Sequence, residues 1–204
     1  MGVELVAVSK WQTIDTIMDA YHAGQRHFGE NRAVEFAEKV GQLPPNIVWH
    51  FIGHLQTNKV KLVVGKAELI HSIDSERLLL VINDEAQKQG ITQRCLFQMH
   101  IAVEESKFGF SQEELSCFIN SSNFAKLKNV QICGLMGMAS FVKNEEQIRA
   151  EFRSLKLYYD TLQQSIFSQN HHFYHLSMGM SGDWPIAVEE GSTLVRVGSS
   201  IFSL

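Results

Sequence analysis

The chain carries one lysine whose position suits covalent chemistry. Lys10 ends the segment of residues 3–10, in which residues 5–8 form a nearly continuous apolar run, typical of a strand covered on both faces. Because side chains alternate along a strand, Lys10 shares a face with Val6 and Val8. If that face lines a barrel, the ammonium is partly desolvated and gives up its proton more readily, as an imine-forming amine must. The alternative is that Lys10 only solvates the end of the strand.

Two loops rich in glycine and serine could bind a phosphate group. Residues 177–183 read SMGMSGD, and residues 196–200 read RVGSS. Small residues let backbone N–H groups approach phosphate oxygens, and hydroxyl groups add further donors. Loops of this composition are often simple turns, so both interpretations stay open.

Arg196 is the most informative charged residue near the second loop. Its neighbours Val195 and Val197 would face the helices, so Arg196 would point inward beside the strand that carries Lys10. An inward arginine needs an anion or an acceptor. A structural ion pair would use one of three carboxylates: Glu30, Glu104 or Glu189. A lysine for an aldehyde, two loops for a phosphate and an arginine for a pyridine nitrogen together fit pyridoxal phosphate (PLP).

Strand-like and helix-like segments alternate along the chain and would position these residues. The predicted strands are residues 3–10, 26–30, 48–53, 69–73, 94–103, 130–136, 173–176 and 193–197. The predicted helices are one between Thr13 and Gly24, residues 31–40, 56–64 and 75–89, one beginning with the capping box of Ser111 and Glu114, one capped by Asn144, and residues 183–190. This order predicts a single α/β domain over residues 1–204, a (β/α)8 TIM barrel.

The clearest helical pattern follows Asn144. Its apolar residues are spaced four, three, four, three and four apart, and they are Ile148, Phe152, Leu155, Tyr159, Leu162 and Ile166. This spacing predicts one long helix with a single buried stripe.

The junction between the first and last strands is unusual. The first strand begins at residue 3 and the chain ends just past the eighth, so no predicted helix covers this seam. We expect the seam to be exposed, shielded by a partner, or covered by an N-terminal helix in a longer form.

Composition excludes several classes of function. The net charge of −4 and the isoelectric point near 6.1 argue against nucleic acid or an anionic membrane as the main partner. Three cysteines without paired spacing and no apolar run long enough to span a bilayer favour a cytoplasmic protein. His50 and His54 could be read as a metal pair, but a third ligand at suitable spacing is lacking, so no metal is expected.

Several segments resemble the YggS/PROSC family of pyridoxal phosphate homeostasis proteins, which is related to the N-terminal barrel of alanine racemase. They are LVAVSK at residues 5–10, FGEN at 28–31, WHFIGHLQTNK at 49–59, HSID at 71–74, GLM at 134–136, LSMGMS at 176–181 and VRVGS at 195–199. The resemblance covers the whole chain. It implies a fold-type III barrel that binds PLP through a Schiff base and has no established turnover.

The resemblance also implies a role for individual residues. Lys10 would form the Schiff base, Arg196 would meet the pyridine nitrogen, Asn31 would lie near the polar substituents of the ring, and His54 would line the mouth. The phosphate would be held by Ser177, Gly198 and Ser199, with Met178 lining that end. Lys59 and Lys107 could guide an anionic ligand to the mouth.

A carrier or buffer of PLP is the function that these features favour. The family's usual N-terminal helix and the racemase C-terminal β domain, which supplies a second base, are not seen in the sequence. We expect a monomer that passes PLP to apo enzymes or free amino acids. The alternatives are an amino-acid racemase or decarboxylase using PLP, a barrel enzyme using Lys10 on a sugar phosphate, and a protein-interaction module.

Overall fold

Eight parallel strands close into a barrel in the computed structural model, which describes residues 2–103 and 108–202. The strands are β1 Glu4–Val8, β2 His27–Glu30, β3 Val48–Phe51, β4 Leu69–Ile73, β5 Gln93–Met99, β6 Val130–Gly137, β7 His175–Ser177 and β8 Leu194–Val197. Each strand pairs with the next, and β8 pairs with β1. The predicted (β/α)8 barrel is confirmed.

Helices alternate with these strands. They are α1 Ile14–His22, α2 Ala33–Val40, α3 Glu76–Gln89, α4 Gln112–Ile119, α5 Ser122–Ala125, α6 Glu145–Gln164, α7 Trp184–Glu189 and α8 Ser199–Phe202, with a 3₁₀ helix at Thr57–Leu62. The predicted caps Thr13, Ser111 and Asn144 each accept a hydrogen bond from the first turn of their helix, and so does Ser75, which was predicted as the first residue of α3.

Two predictions about elements were wrong, and two short helices were not predicted. The helix expected over residues 56–64 is the shorter 3₁₀ helix, in a segment whose three valines disfavour an α-helix. The fifth strand ends at Met99 rather than at residue 103. The short helices α5 and α8 were not predicted, because four residues are too few for a periodic pattern.

Side chains alternate between two packed layers. The inward layer inside the barrel contains Val6, Leu69, Leu96, Cys133, Met136 and Leu194. The outward side chains of the strands form the larger core with the helices, and Phe28 of β2 and Phe36 of α2 are both fully buried there. Because Val6 faces inward, Lys10 is expected on the same inner side of the chain.

The seam between β1 and β8 is partly exposed, as predicted. Val3 and Leu5, on the face of β1 opposite to Val6, are 42% and 39% exposed. Further along the same face Ala7 is fully buried, and its partner Val197 on β8 is also buried. The exposed part of the seam is therefore its amino-terminal half.

No helix within residues 2–103 and 108–202 has the length and apolar character needed to cross a membrane.

The apolar stripe of α6 matches the sequence pattern except at its last member. The side chains from Ile148 to Leu162 are buried against the barrel. Ile166 lies beyond the end of α6 at Gln164 and is 46% exposed. The periodicity therefore predicted the packed face correctly but not where the helix ends.

A pair of alanine substitutions tests this difference. Leu155→Ala should lower the free energy of unfolding by about 2–5 kcal/mol, because it leaves a cavity in a packed core. Ile166→Ala should change it by less than about 1 kcal/mol. Urea denaturation measures both, and equal losses would contradict the observed end of α6.

Candidate functional site

Most of the predicted site residues meet at one rim of the barrel. All strands are parallel, so their carboxyl ends lie at the same end of the barrel. Lys10 follows β1, Asn31 follows β2, His54 lies beyond β3, and Gly198 follows β8. Residues from opposite ends of the sequence thus reach one rim because β1 pairs with β8.

Lys10 is half-buried, and its amine is available for chemistry. Its Nζ lies 5.1 Å from the centre of the Trp11 ring, close enough for a weak cation–π contact. Within the part of the chain that the structure describes, the Lys10 ammonium makes no hydrogen bond and no ion pair. No carboxylate among the described residues therefore occupies this amine.

A second lysine, Lys39 of α2, is buried behind β1 and β2. Its Nζ donates to the carbonyl of Ser9 at 2.8 Å, to Glu30 Oε1 at 2.7 Å and to Glu35 Oε1 at 2.7 Å. The Ser9 hydroxyl donates to the same Glu30 oxygen at 2.6 Å. Burial raises the pKa of Glu30, and the hydrogen bonds from Lys39 and Ser9 oppose that rise. We call these four residues the Lys39 cluster.

The Lys39 cluster holds the backbone on both sides of Lys10. Ser9 is held by its carbonyl and its hydroxyl, and the Trp11 N–H donates to Glu35 Oε1 at 2.8 Å. Trp11 has a φ of 63°, a left-handed conformation that side chains rarely adopt. The Lys39 cluster therefore fixes the backbone around Lys10 without contacting the Lys10 amine.

Sequence reasoning missed Lys39, although the sequence carries a signal for it. Lys39 lies three residues after Phe36, so both share the face of α2 that packs on the sheet. A charged residue on an apolar helix face needs a buried partner, and Glu30 supplies it.

Arg196 points into the barrel, as predicted. Its Nη1 donates to Ser177 Oγ at 2.5 Å, and its Nη2 donates to the carbonyl of Gly137 at 3.1 Å. Burial lowers the pKa of Arg196 to about 10, and the nearby charge of Asp183 opposes that effect. The Arg196 guanidinium thus donates its hydrogen bonds to neutral acceptors.

Two of the three carboxylates considered as ion-pair partners of Arg196 have other partners. Glu30 binds the buried lysine of α2, and Glu189 pairs with Arg149 at 2.6 Å. Glu104 lies outside the described residues, as does Lys107.

Two residues predicted at the phosphate lie deeper than the loop surface. Ser177 is fully buried, and its hydroxyl contacts Arg196 and His71. Met178 is fully buried in the core between the strands and the helices. Their side chains therefore do not face the loop, and their phosphate role stays a prediction that only their backbone could fulfil.

The end of β8 fits an anion better. The Gly198 N–H donates to Ser181 Oγ at 3.2 Å, so a backbone donor and a hydroxyl face each other. A Cβ at Gly198 would lie only 3.2 Å from the Val8 carbonyl oxygen, so a side chain would crowd β1. Ser199 follows with an exposed side chain. Ser181 was missed as a single residue, although its loop was predicted.

Asn31 and His54 border an open cleft of about 480 Å³ that Arg32 and Lys59 also line. Asn31 Oδ1 is buried and has no hydrogen-bond partner within the described residues, so it can accept a donor from a ligand. His54 Nδ1 lies 2.7 Å from Asp74 Oδ2. Lys10 is not among the residues lining this cleft, so the cleft adjoins the rim rather than enclosing the amine.

His50 and His54 do not form a shared site. His50 lies inside the barrel between His27 and His71, whereas His54 pairs with Asp74 at the rim. Among residues 2–103 and 108–202, no group of three or more His, Cys, Asp or Glu side chains is arranged to hold a metal ion.

Three histidines inside the barrel resist protonation. Burial, with repulsion from neighbouring cations, lowers the pKa of His50 to about 3 and the pKa of His175 to about 4. The pKa of the fully buried His71 is also lowered well below its ordinary value. These imidazoles are neutral at pH 7.

Comparisons with known proteins identify relatives of this chain in both sequence and structure. The family model for the alanine racemase N-terminal domain matches residues 2–204. A protein of Aquifex aeolicus named pyridoxal phosphate homeostasis protein is 40% identical over 98% of this chain and 86% of its own length. The Homo sapiens protein of the same name is 38% identical over 97% of this chain and 75% of its own. A structure of PipY from Synechococcus elongatus with PLP bound has a TM-score of 0.87 and 36% identity, covering 98% of this chain and 92% of that one.

Removing the cation of the Lys39 cluster should destabilise the fold. Lys39→Met leaves the buried Glu30 carboxylate uncompensated and should lower the free energy of unfolding by about 3–5 kcal/mol. Adding Glu30→Gln should recover part of that loss. Lys88→Met, at a side chain that is 74% exposed, should cost less than about 0.5 kcal/mol. Chemical denaturation measures all three; a Lys39→Met protein as stable as the Lys88→Met protein would contradict this account.

Stability should fall as the pH drops from 6.5 to 5. An unfolded histidine has a pKa of about 6.5, so below that pH the unfolded chain binds protons that the folded barrel excludes. The free energy of unfolding should then fall by on the order of 1 kcal/mol per pH unit for each buried histidine.

Urea titrations at pH 6.5 and 5 measure this dependence. His50→Gln should weaken it, whereas His171→Gln, at an exposed histidine, should leave it unchanged. The account is wrong if the pH dependence is the same in wild type and His50→Gln.

Proposed function

The chain belongs to the alanine racemase N-terminal domain family, and on that premise we propose that it binds PLP reversibly and acts in PLP homeostasis. The observation that carries the proposal is that Lys10, whose amine makes no hydrogen bond or ion pair within the described residues, lies just after β1, the strand that pairs with β8, which carries Arg196. PipY, which is 36% identical over nearly the whole chain, has a structure with PLP bound.

The residues at the rim match the chemical groups of PLP. The amine of Lys10 would hold PLP covalently through its aldehyde, with loss of water, and hydrolysis would release the ligand again. The Gly198 N–H and the hydroxyls of Ser181 and Ser199 supply donors for the phosphate. The buried Asn31 Oδ1 supplies an acceptor for a hydroxyl of the ring. When bound, PLP contributes an aldehyde and an electron-withdrawing pyridine ring.

Arg196 favours a carrier over a catalyst. A guanidinium donates hydrogen bonds but does not accept a proton. A ring nitrogen that faces Arg196 therefore stays largely unprotonated, and the ring is a weaker electron sink than a protonated one. This argues for reversible binding without turnover, with transfer of PLP to apo enzymes or free amino acids by imine exchange. A cytoplasmic location and a monomeric state stay predictions.

Lys10→Ala should abolish covalent PLP binding. The wild-type protein mixed with PLP should develop an imine absorbance band, and borohydride followed by peptide mass mapping should find a pyridoxyl group on Lys10. The variant should lose both signals because it lacks the amine, whereas Lys88→Ala should keep them. An unchanged band in Lys10→Ala, or a label on Lys39, would refute the assignment.

A turnover assay separates the carrier from a racemase. With PLP bound, the protein should interconvert L- and D-alanine, and release carbon dioxide from amino acids, no faster than free PLP does. A clearly faster rate would favour the racemase or decarboxylase.

A further inference from the structure

A line of hydrogen-bonded side chains crosses the interior of the barrel below Arg196. Arg196 Nη1 donates to Ser177 Oγ at 2.5 Å, and that oxygen lies 2.9 Å from His71 Nδ1. Arg196, Ser177 and His71 lie on β8, β7 and β4, so the line runs through the barrel rather than along one strand.

The line continues to the opposite end of the barrel. His71 Nε2 lies 2.9 Å from His50 Nδ1, and His50 Nε2 lies 3.0 Å from His27 Nδ1. His27 Nε2 lies 2.8 Å from Glu4 Oε1 at the amino end of β1. We call these six residues, from Arg196 to Glu4, the histidine chain.

The two ends of the histidine chain determine the direction of every hydrogen bond. A guanidinium can only donate and a carboxylate can only accept, whereas a hydroxyl and a neutral imidazole each do both. Ser177 therefore accepts from Arg196 and donates to His71. The same rule makes each histidine accept at Nδ1 and donate from Nε2, so all three carry their proton on Nε2.

The surroundings keep the two inner imidazoles of the chain, His50 and His71, neutral. His50 and His71 are buried. Burial disfavours a charge on either ring, and the guanidinium of Arg94 near His50 and that of Arg196 near His71 further oppose protonation. Only the Glu4 end is open to solvent, where the Glu4 side chain is 39% exposed.

We propose that Ser177, His71, His50 and His27 are positioning residues that hold Arg196 in the orientation used for the cofactor ring and couple it to Glu4 at the far end of the barrel. The proposal rests on the proposed function, because Arg196 meets the ring nitrogen only if PLP binds. It also explains why the Ser177 hydroxyl does not donate to the phosphate, because that hydroxyl donates to His71.

The competing view is that each histidine is only a core residue with its polar atoms satisfied. The two views differ in what a change at Glu4 does. In the histidine chain, a residue at position 4 that can only donate replaces the carboxylate that accepts the His27 proton, and this favours reversal of each hydrogen bond from His27 to His71. In a set of independent pairs, the effect ends at His27.

Nitrogen-15 NMR of the histidine rings in the ligand-free protein tests this directly. The wild type should show the Nε2–H tautomer at His27, His50 and His71. Glu4→Lys should switch all three to the Nδ1–H tautomer. Glu68→Lys makes the same charge change at the residue before β4, outside the histidine chain, and should leave the tautomers as they are. An unchanged His71 in Glu4→Lys overturns the proposal.

A double-substitution cycle separates coupling through the hydrogen bonds from the electrostatic field of the new lysine. His27→Phe interrupts the histidine chain next to Glu4 without touching Arg196 or Ser177. In that background Glu4→Lys should no longer affect the His71 tautomer. An equal effect with and without His27 would mean that the field of the lysine, and not the hydrogen bonds, acts on His71, and the proposal would fail.

PLP affinity supplies the second readout. Glu4→Lys should weaken PLP binding about tenfold, because reversal of the chain displaces the Ser177 proton and loosens Arg196, while Glu68→Lys should not. Unchanged affinity after a tautomer switch would overturn the positioning role. Failure of the wild type to bind PLP would instead refute the proposed function, and the tautomers of the ligand-free protein would still report whether the chain exists.

Discussion

The pairing of β1 with β8 is the contact on which the rest of the structure depends. It sets Val6 opposite Arg196 and Ala7 opposite Val197, and so joins the first ten residues of the chain to the last ten. A sheet left open at this point would place Lys10 and Arg196 at opposite edges. Because the barrel closes, the segments that carry Lys10, Arg196 and Gly198 lie next to each other.

Two buried polar networks lie on opposite faces of the strands around this seam. The Lys39 cluster packs behind β1 and fixes the backbone of Ser9 and Trp11, and the histidine chain crosses the interior and fixes Arg196. Burying such groups costs desolvation free energy, which hydrogen bonds offset only when every partner is in place. Their effect is to define positions: one network holds the residues beside the Lys10 amine, and the other holds the Arg196 guanidinium.

Local patterns predicted the architecture well because they depend on neighbours in sequence. The alternation along β1, and that of Val195 and Val197 with Arg196, gave the correct inward faces for Val6 and Arg196. Capping residues such as Ser111 gave correct helix starts. The patterns failed where an element is short or where its end depends on packing, as with the 3₁₀ helix at Thr57–Leu62 and with Ile166.

The sequence by itself determined which residues could react and which face of each strand they occupy, since strand alternation is a property of the backbone. Only the tertiary structure decided their partners. Ser177 and His71 are 106 residues apart, and Ser9 and Lys39 are 30 apart, so their contacts exist only once the barrel has closed and the helices have packed on it. The sequence suggested Ser177 for the phosphate, whereas the fold gives its hydroxyl to Arg196 and His71. A hydroxyl so far inside the barrel binds whatever polar group packing brings within hydrogen-bond distance.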